Sequence, residues 1–230
     1  MKILLIDADD KNFSIHEFFG TNKYSKKFQK IKDKNSEFVK TLSLNDLIIP
    51  YKKTNLNILP LNYKINIKQI VQEIGMFRDR YDLIFIDMPS YINSKYQEDL
   101  MKISNKKIFL SEPNLIGISK LNKILEDLNI DKEELKESSY ICFNKYTKYS
   151  IDKNILNNFF DGYKNLSTLK FDNYLDNFIN KGNIYVRQLD KIQKIEYQNI
   201  ISKLFEIKQR KFLFNKTVKQ FNLQEKYGGC

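Results

Sequence analysis

The sequence predicts an α/β protein with a mostly parallel, doubly wound sheet, helices on both of its faces, and a basic helix at its C-terminus. Short apolar runs bounded by polar residues, of which 83–86 is the sharpest, have the length and composition of strands buried on both faces. Segments with a helical apolar period, such as 65–77, alternate with these runs. A chain of 230 residues with 42% hydrophobic residues can bury the core of one such domain.

The elements follow one another along the chain in a regular order. Apolar runs predict strands at 3–6, 56–61, 83–86, 107–111, 138–143 and 166–171. Apolar residues at spacings of three and four predict helices or helical turns at 14–19, 43–48, 65–77, 92–103, 116–128, 131–136, 151–163, 174–179 and 192–207. Helix, buried strand and helix in succession favour parallel strands joined by crossovers.

The composition restricts the partners and the compartment. A net charge of +11 favours anionic partners, which are nucleic acid, acidic lipid headgroups or an acidic protein, and it does not choose among them. The two cysteines, Cys142 and Cys230, form no disulfide framework and lack metal-ligand spacing, so we expect a reducing cytoplasm. Asp7, Asp9 and Asp10 interrupt the apolar start, which argues against a signal peptide. His16, the only histidine, is expected to fill space rather than to catalyse.

Carboxylates follow two of the predicted strands directly. Asp87 ends the strand at 83–86 and is followed by Pro89, while Asp7 and Asp9 end the first strand. The carboxyl ends of parallel strands form the edge where open α/β sheets bind ligands, and carboxylates there can hold Mg²⁺ beside a nucleotide. The alternative is that each aspartate is solvated and caps the next turn.

These strand ends resemble a known family. The segment Asp7-Ala8-Asp9 resembles the DxD strand end, and residues 84–89 (IFIDMP) resemble the Walker B strand, of the deviant-Walker ParA/MinD group of P-loop ATPases. The exit of the strand at 138–143 (CFNK) is similar to the family segment whose Asn contacts adenine. The resemblance, which spans residues 2–207, implies a P-loop NTPase-like fold with ATP and Mg²⁺ as cofactors. It also implies roles for Asp87 in holding Mg²⁺ through water, for Asp9 near the γ-phosphate, for Asp7 in supporting the loop, and for Asn144 beside the base.

The sequence departs from this family at the phosphate loop. No G-x-x-x-x-G-K-[ST] motif occurs in the 230 residues, so the backbone N–H groups, the Lys and the hydroxyl that hold phosphates and Mg²⁺ are not supplied. We therefore expect that the chain alone does not hydrolyse ATP. The family places the strand before that loop in the centre of the sheet, so the resemblance implies a gap or re-paired strands here. Either the protein is a naturally short relative or the sequence is a fragment. A response-regulator receiver domain matches less well, because the interval between the aspartates is too long.

Two basic segments are candidate contact surfaces. We expect an α/β domain over 1–207 and a basic amphipathic tail over 208–230, with Phe214, Val218 and Phe221 on one helical face beside Lys211 and Lys219. The tail can lie on a membrane or a partner, or simply pack on the domain. The segment Lys23 to Lys34 interleaves lysines with aromatic residues, which suits either a solvated helix face or contact with nucleic acid or another anionic surface.

The function implied by the resemblance is that of a ParA/MinD-like pseudo-ATPase. Members without a standard loop are similar to the CpaE/TadZ proteins of pilus assembly, and others place flagella, division sites or plasmids. We expect a cytoplasmic positioning or assembly factor with protein partners, a homodimer among them, and with contact to the inner membrane through the tail. Two alternatives stay open, which are a true ATPase represented by a truncated chain and a nucleic-acid-binding protein.

Overall fold

The computed structural model describes residues 1–9, 15, 19, 43–60, 67–91, 95–172 and 191–206. Its strands are β1 (Ile3–Asp7), β2 (Ile49–Pro50), β3 (Leu56–Leu59), β4 (Leu83–Asp87), β5 (Lys107–Ser111), β6 (Ser139–Tyr146) and β7 (Lys164–Lys170). Its α-helices are α1 (Ile67–Glu73), α2 (Gly75–Arg78), α3 (Lys95–Ile103), α4 (Leu115–Asp127), α5 (Lys132–Ser138), α6 (Lys153–Phe159) and α7 (Lys191–Phe205), and a 3-10 turn spans Leu44–Leu47.

The strands form two sheets that lie side by side. The first has the order β2-β3-β1-β4 and the second the order β5-β6-β7, and every pair except β2 with β3 is parallel. Helix α3 connects the two halves, since Leu100 belongs to the core of the first sheet and its neighbour Met101 to the core of the second. The predicted α/β class with mostly parallel strands is confirmed.

Alternate residues of the central strands pack in opposite directions, which places helices on both faces. In β6, Ile141 and Phe143 pack with side chains of α4, α5 and α6, whereas Tyr140 and Cys142 pack with Leu204 of α7. This alternation is the period of two expected of a strand. Both layers of apolar side chains in β6 are therefore removed from water, as the continuous apolar sequence predicts.

Several predicted elements differ in detail. The helix expected at 65–77 is divided after Glu73 into α1 and α2, with the poor helix former Gly75 at the start of the second piece. The helix expected at 151–163 ends at Phe159, since the chain turns through Gly162 at a φ of +88° that favours glycine. The short edge strand β2 was not predicted, because Pro50 argues against a strand and is tolerated only at an edge.

Other predictions fall outside the described residues. These include His16, the segment 23–34, the turn at 174–179 and the whole tail, with Lys211, Phe214, Val218, Lys219 and Phe221. Of the helix predicted at 14–19, only Ile15 and Phe19 are described, and the Phe19 N–H donates to the Ile15 carbonyl at 3.0 Å. Among the helices that are described, none has the length and apolar character needed to cross a membrane.

The expectation that β4 is buried on both faces is wrong. Phe85 in β4 is 40% exposed, and Leu110 in β5 is 67% exposed. Within the described part of the chain, β4 pairs only with β1 and β5 only with β6, so each strand ends its sheet. Among the described strands the sheet is interrupted between β4 and β5, and a gap is one of the two arrangements that the resemblance implies.

Candidate functional site

The three aspartates predicted from the sequence meet at one edge of the first sheet. β1 and β4 are adjacent parallel strands in a register that pairs Asp7 with Asp87. The Ala8 N–H donates to the Asp87 carbonyl at 2.8 Å, which extends the ladder one residue beyond both strands. The convergence follows from the parallel topology, because strands that run in one direction end at one edge.

The three carboxylates differ in their access to water. Asp7 is fully buried and Asp9 almost so, whereas Asp87 is exposed. The Asp7 Oδ1 accepts the N–H of Asp9 at 3.2 Å, so Asp7 shapes the turn that carries Asp9. Asp87 is therefore the carboxylate of the three that an incoming ligand reaches most directly.

The pKa of Asp87 is raised above its ordinary value. Surrounding protein removes part of the hydration of the carboxylate, although solvent still reaches it, and the negative charge of Asp9 adds to the effect. A cation beside Asp87 would offset the repulsion between its carboxylate and the charge of Asp9. Oxygen donors of this kind suit Mg²⁺.

The three aspartates fit a hydrated metal ion only in part. No group of three or more Asp, Glu, His or Cys side chains in the described regions is arranged to hold a metal directly. Asp87 and Asp9, whose charges interact, would be the residues to hold Mg²⁺ through water. The sequence contains no G-x-x-x-x-G-K-[ST] motif, whose backbone N–H groups, Lys and hydroxyl hold the phosphates of a nucleotide in P-loop proteins.

A cavity of about 580 Å³, the carboxyl-end cavity, opens between the ends of β4 and β5. The ends of both strands line it, through Asp87 and Ser90 on one side and Ser111 and Glu112 on the other. Helix α4 begins at its rim, where the Asn114 Oδ1 accepts the Gly117 N–H at 2.8 Å and caps the first turn. The volume is in the range of about 300–1,000 Å³ that is typical of ligand pockets.

Two of the lysines that line this cavity form hydrogen bonds with other groups of the protein. The buried Lys107 donates through Nζ to the Ser104 carbonyl at 3.1 Å and to the Ser138 hydroxyl at 2.9 Å. Burial lowers the pKa of Lys107, and the nearby charge of Glu134 opposes this only in part. Lys106 donates to the Tyr140 hydroxyl at 3.2 Å and also bonds to the end of α7. Neither amine is therefore positioned as a phosphate ligand.

Asn144 lies in the second sheet, near the end of β6, and is not part of the cavity lining. Its Oδ1 accepts the backbone N–H of Lys145, a residue in the left-handed region at a φ of +60°. The Lys145 Nζ lies 2.8 Å from Glu112 Oε1, and this ion pair lowers the pKa of Glu112. The pair joins the residue that follows β5 to the last part of β6.

Sequence reasoning missed the cavity, the buried Lys107 and the pair of Glu112 with Lys145. The two members of that pair lie 33 residues apart in the sequence, and nothing local to either one marks them as partners. Lys107 begins the apolar run at 107–111, and a lysine is an unusual residue for a buried strand, so the sequence did contain a signal for it.

Comparison with known proteins defines the fold. No protein-family model and no curated protein sequence matches the chain. Among solved structures, it is similar to the MinC:MinD cell division protein complex of Aquifex aeolicus, with a TM-score of 0.70 and 15% identity over 90% of this chain and 84% of that chain. A putative plasmid partition protein of Borrelia burgdorferi bound to AMPPNP aligns with a TM-score of 0.63 and 20% identity over 89% of this chain and 86% of that one. Apo McdA from Cyanthece aligns with a TM-score of 0.64 and 12% identity over 88% of this chain and 87% of that one.

The parallel sheets flanked by helices thus give this α/β protein a P-loop NTPase-like fold. Within that class the chain has the ParA/MinD-like fold.

Proposed function

We propose that this chain is a ParA/MinD-type positioning or assembly factor that works through protein contacts and does not hydrolyse ATP on its own. The observation that carries the proposal is a fold shared with cell division and plasmid partition proteins in a sequence without a phosphate-loop motif. The cargo is a pilus, a flagellum, a division site or a DNA molecule to be segregated. The compartment is the cytoplasm, with homodimers as the assembled form.

The proposal assigns chemical roles to the three aspartates at the ends of β1 and β4, which we call the carboxylate edge. Asp87 is the residue that would hold Mg²⁺ through water, with Asp9 as the second charge and Asp7 as the buried support of the turn. When bound, the metal would neutralise the negative charge of these carboxylates. We further propose that Asn144 would face the base of a bound nucleotide. This role requires that the phosphates be held by other means.

The test of the proposal is phosphate release from Mg·ATP by the purified chain. We expect wild type and Asp9→Asn to release phosphate at the same background rate, because Asp9 alone cannot position phosphates. The thermal melts of both proteins serve as the control for folding. Turnover in the wild type that disappears in Asp9→Asn would overturn the proposal.

The second candidate is a nucleotide-binding ATPase whose phosphate loop comes from residues outside this sequence. The meeting of Asp7, Asp9 and Asp87 at one sheet edge favours it, because carboxylates at such an edge can hold Mg²⁺ beside a nucleotide. An in-frame segment coding for a glycine-rich GKT loop next to this sequence would support that function.

We also propose that the tail at 208–230 contacts an anionic membrane surface. Phe214, Val218 and Phe221 are expected to enter the interface, with Lys211 and Lys219 beside acidic headgroups. Flotation with vesicles containing acidic lipid tests this, and Phe214→Glu with Phe221→Glu should abolish it while the melting temperature stays unchanged. Equal flotation of both proteins would refute membrane contact.

Nucleic acid is the competing anionic partner for the basic surfaces. Contact of DNA with the lysines of 23–34 or of the tail would weaken steeply as salt is raised, because binding releases condensed counterions. Fluorescence anisotropy with a labelled duplex at several salt concentrations measures this slope. An absence of binding at low salt would remove nucleic acid as a partner.

A further inference from the structure

The connection between α6 and β7 contains a chemically distinct pair of residues, Asp161 and Gly162. Of the seven glycines in the sequence, Gly162 alone follows an aspartate or an asparagine. The carboxyl group of an aspartate can react with the backbone nitrogen of the next residue and close a succinimide ring. Glycine has no Cβ that would shield this nitrogen. The pair is therefore a candidate site of backbone chemistry.

The structure places the two reacting groups side by side. The Gly162 N–H donates to Oδ1 of Asp161 at 3.0 Å, so the carboxyl carbon, which is bonded to Oδ1, lies next to the nitrogen. Groups held in such proximity react far more readily than separate molecules do. Because α6 ends at Phe159 and β7 begins at Lys164, the proton that ring closure removes is not one that holds the helix or the strand.

The shape of the turn suits glycine and leaves the pair open to water. The Tyr163 N–H donates to the Phe160 carbonyl at 3.0 Å, which closes a turn around the pair. Gly162 has a φ of +88°, a value that favours glycine over residues with a Cβ. Asp161 and Gly162 are both exposed, so the water that opens a succinimide ring can reach it.

Two other aspartates in the same half of the protein have different contacts. Asp131 and Asp152 cap the first turns of α5 and α6, and their Oδ1 atoms accept N–H groups two or three residues further along the chain. Each of them is followed by a lysine, whose side chain hinders ring closure. Asp131 and Asp152 are therefore internal controls for the chemistry of Asp161.

We propose that Asp161 and Gly162 form a site of spontaneous isoaspartate formation in the folded protein. The Gly162 nitrogen bonds to Cγ of Asp161, and the amide proton leaves with the carboxyl hydroxyl as water. Water then opens the ring at the main-chain carbonyl of Asp161, which gives isoaspartate, or at Cγ, which restores aspartate. The water lost in the first step is regained in the second, and no oxidant or reductant takes part. The inference does not depend on the proposed function.

The isomer changes the backbone of the turn. In isoaspartate the chain runs through Cβ and Cγ, so it is longer by one methylene group, and the free carboxylate is attached to Cα. The hydrogen bond from Tyr163 to Phe160 spans this segment. The turn also packs against α5, since a Cβ built on Gly162 would lie 3.1 Å from Cδ of Lys136. We therefore expect the longer turn to weaken the connection of α6 to β7.

The test is to age the purified chain at neutral pH and physiological temperature for several weeks. The protein is then digested, and electron-transfer dissociation of the peptides distinguishes isoaspartate from aspartate at each position. We expect isoaspartate to accumulate at Asp161 at least about tenfold faster than at Asp131 and Asp152, because only Asp161 has its carboxyl group beside an unshielded nitrogen. Equal rates at the three positions would overturn the proposal.

A sample aged in urea separates the effect of the fold from that of the sequence. We expect isoaspartate at Asp161 in both the folded and the denatured samples. Its formation in the denatured sample alone would overturn the proposal, because the folded turn would then protect the pair instead of bringing the reacting groups together.

Two variants distinguish ring closure from other damage. Asp161→Glu keeps the charge but would need a larger ring, so we expect no isomer at this position. Asp161→Asn keeps the succinimide chemistry, with ammonia in place of water as the leaving group, and the loss of the amide is visible by mass. Asn144 is its matched control, since its Oδ1 accepts the N–H of Lys145 at 2.9 Å but the next residue carries a side chain.

We expect Asp161→Asn to lose its amide faster than Asn144 does in the same sample. Thermal melts of both variants before ageing control for folding. Equal loss at the two positions would contradict the role of Gly162. Isomer formation in Asp161→Glu as fast as in the wild type would contradict the succinimide route.

Unfolding in urea measures the consequence for the structure. Aged wild type that contains the isomer should unfold at a lower urea concentration than fresh wild type, whereas aged Asp161→Glu should match its fresh form. Equal midpoints of aged and fresh wild type, with isoaspartate present at Asp161, would refute the expected weakening of the turn.

Discussion

Replacing Asp87 by Asn should stabilise the folded protein in the absence of metal. The pKa of Asp87 is raised by partial loss of hydration and by the charge of Asp9, so ionisation of this carboxyl opposes folding at neutral pH. Asn keeps the size of the side chain and removes the charge. Because the side chain is exposed, the gain is on the scale of exposed charge interactions, about 0.2–1 kcal/mol.

The pH dependence of this gain has a definite sign. A carboxyl with a raised pKa in the folded state binds more protons when folded than when unfolded. The stability of the wild type therefore falls as the pH rises through the window between its unfolded-state and folded-state pKa values. That window opens near the ordinary value of 3.8 and closes above the raised pKa of the folded state. Asp87→Asn should match the wild type below the window and exceed it above.

Thermal melts between acid and neutral pH measure the effect. For a protein of this size a gain of about 0.2–1 kcal/mol corresponds to an increase in Tm of roughly 0.5–4 °C. Glu126→Gln, at an exposed position in α4, is the control and should change stability by less than about 0.5 kcal/mol. A lower Tm for Asp87→Asn at neutral pH would refute the electrostatic argument for the carboxylate edge.

Three further predictions concern the core and the cavity rim. Phe77→Ala should lower the free energy of unfolding in urea by about 3–5 kcal/mol because Phe77 is fully buried. Met76→Ala, at the exposed neighbouring position, should change it little, and similar losses for both variants would contradict the burial of Phe77. Gly117→Ala should destabilise by about 1–3 kcal/mol in the same assay, since its Cβ would lie 2.2 Å from the Glu112 carbonyl oxygen, and a neutral result would mean that this contact relaxes freely. In a Cys230→Ser background, Cys142 should resist alkylation at neutral pH until denaturant is added, since burial raises the pKa of its thiol to about 11; rapid labelling of the folded protein would contradict this.

The sequence predicted the positions of the strands and the meeting of their carboxylates, and the reason is local. An apolar run such as 83–86 defines a strand by composition, and parallel topology then brings Asp7 and Asp87 to one edge without knowledge of any long-range contact. The register that pairs these two residues in β1 and β4 confirms that argument.

The burial of individual strands was beyond sequence reasoning, because it depends on which strands are neighbours. Continuous apolar runs predict burial on both faces for β4 and for β6 alike, yet only β6 has strands on both sides among those described. The exposed side chains of Phe85 and Leu110 follow from that difference in pairing. The pair of Glu112 with Lys145 was equally hidden, because it joins the ends of two strands that are distant in sequence.

Calorimetric titration of the chain with Mg·ATP and Mg·ADP tests the central claim most directly. The claim is that the carboxylate edge is present without a phosphate cradle, so we predict no saturable heat with either nucleotide, for the wild type or for Asp87→Ala. Binding in the micromolar range by the wild type that is lost in Asp87→Ala would contradict the claim, because phosphates would then be held at this edge without the usual loop.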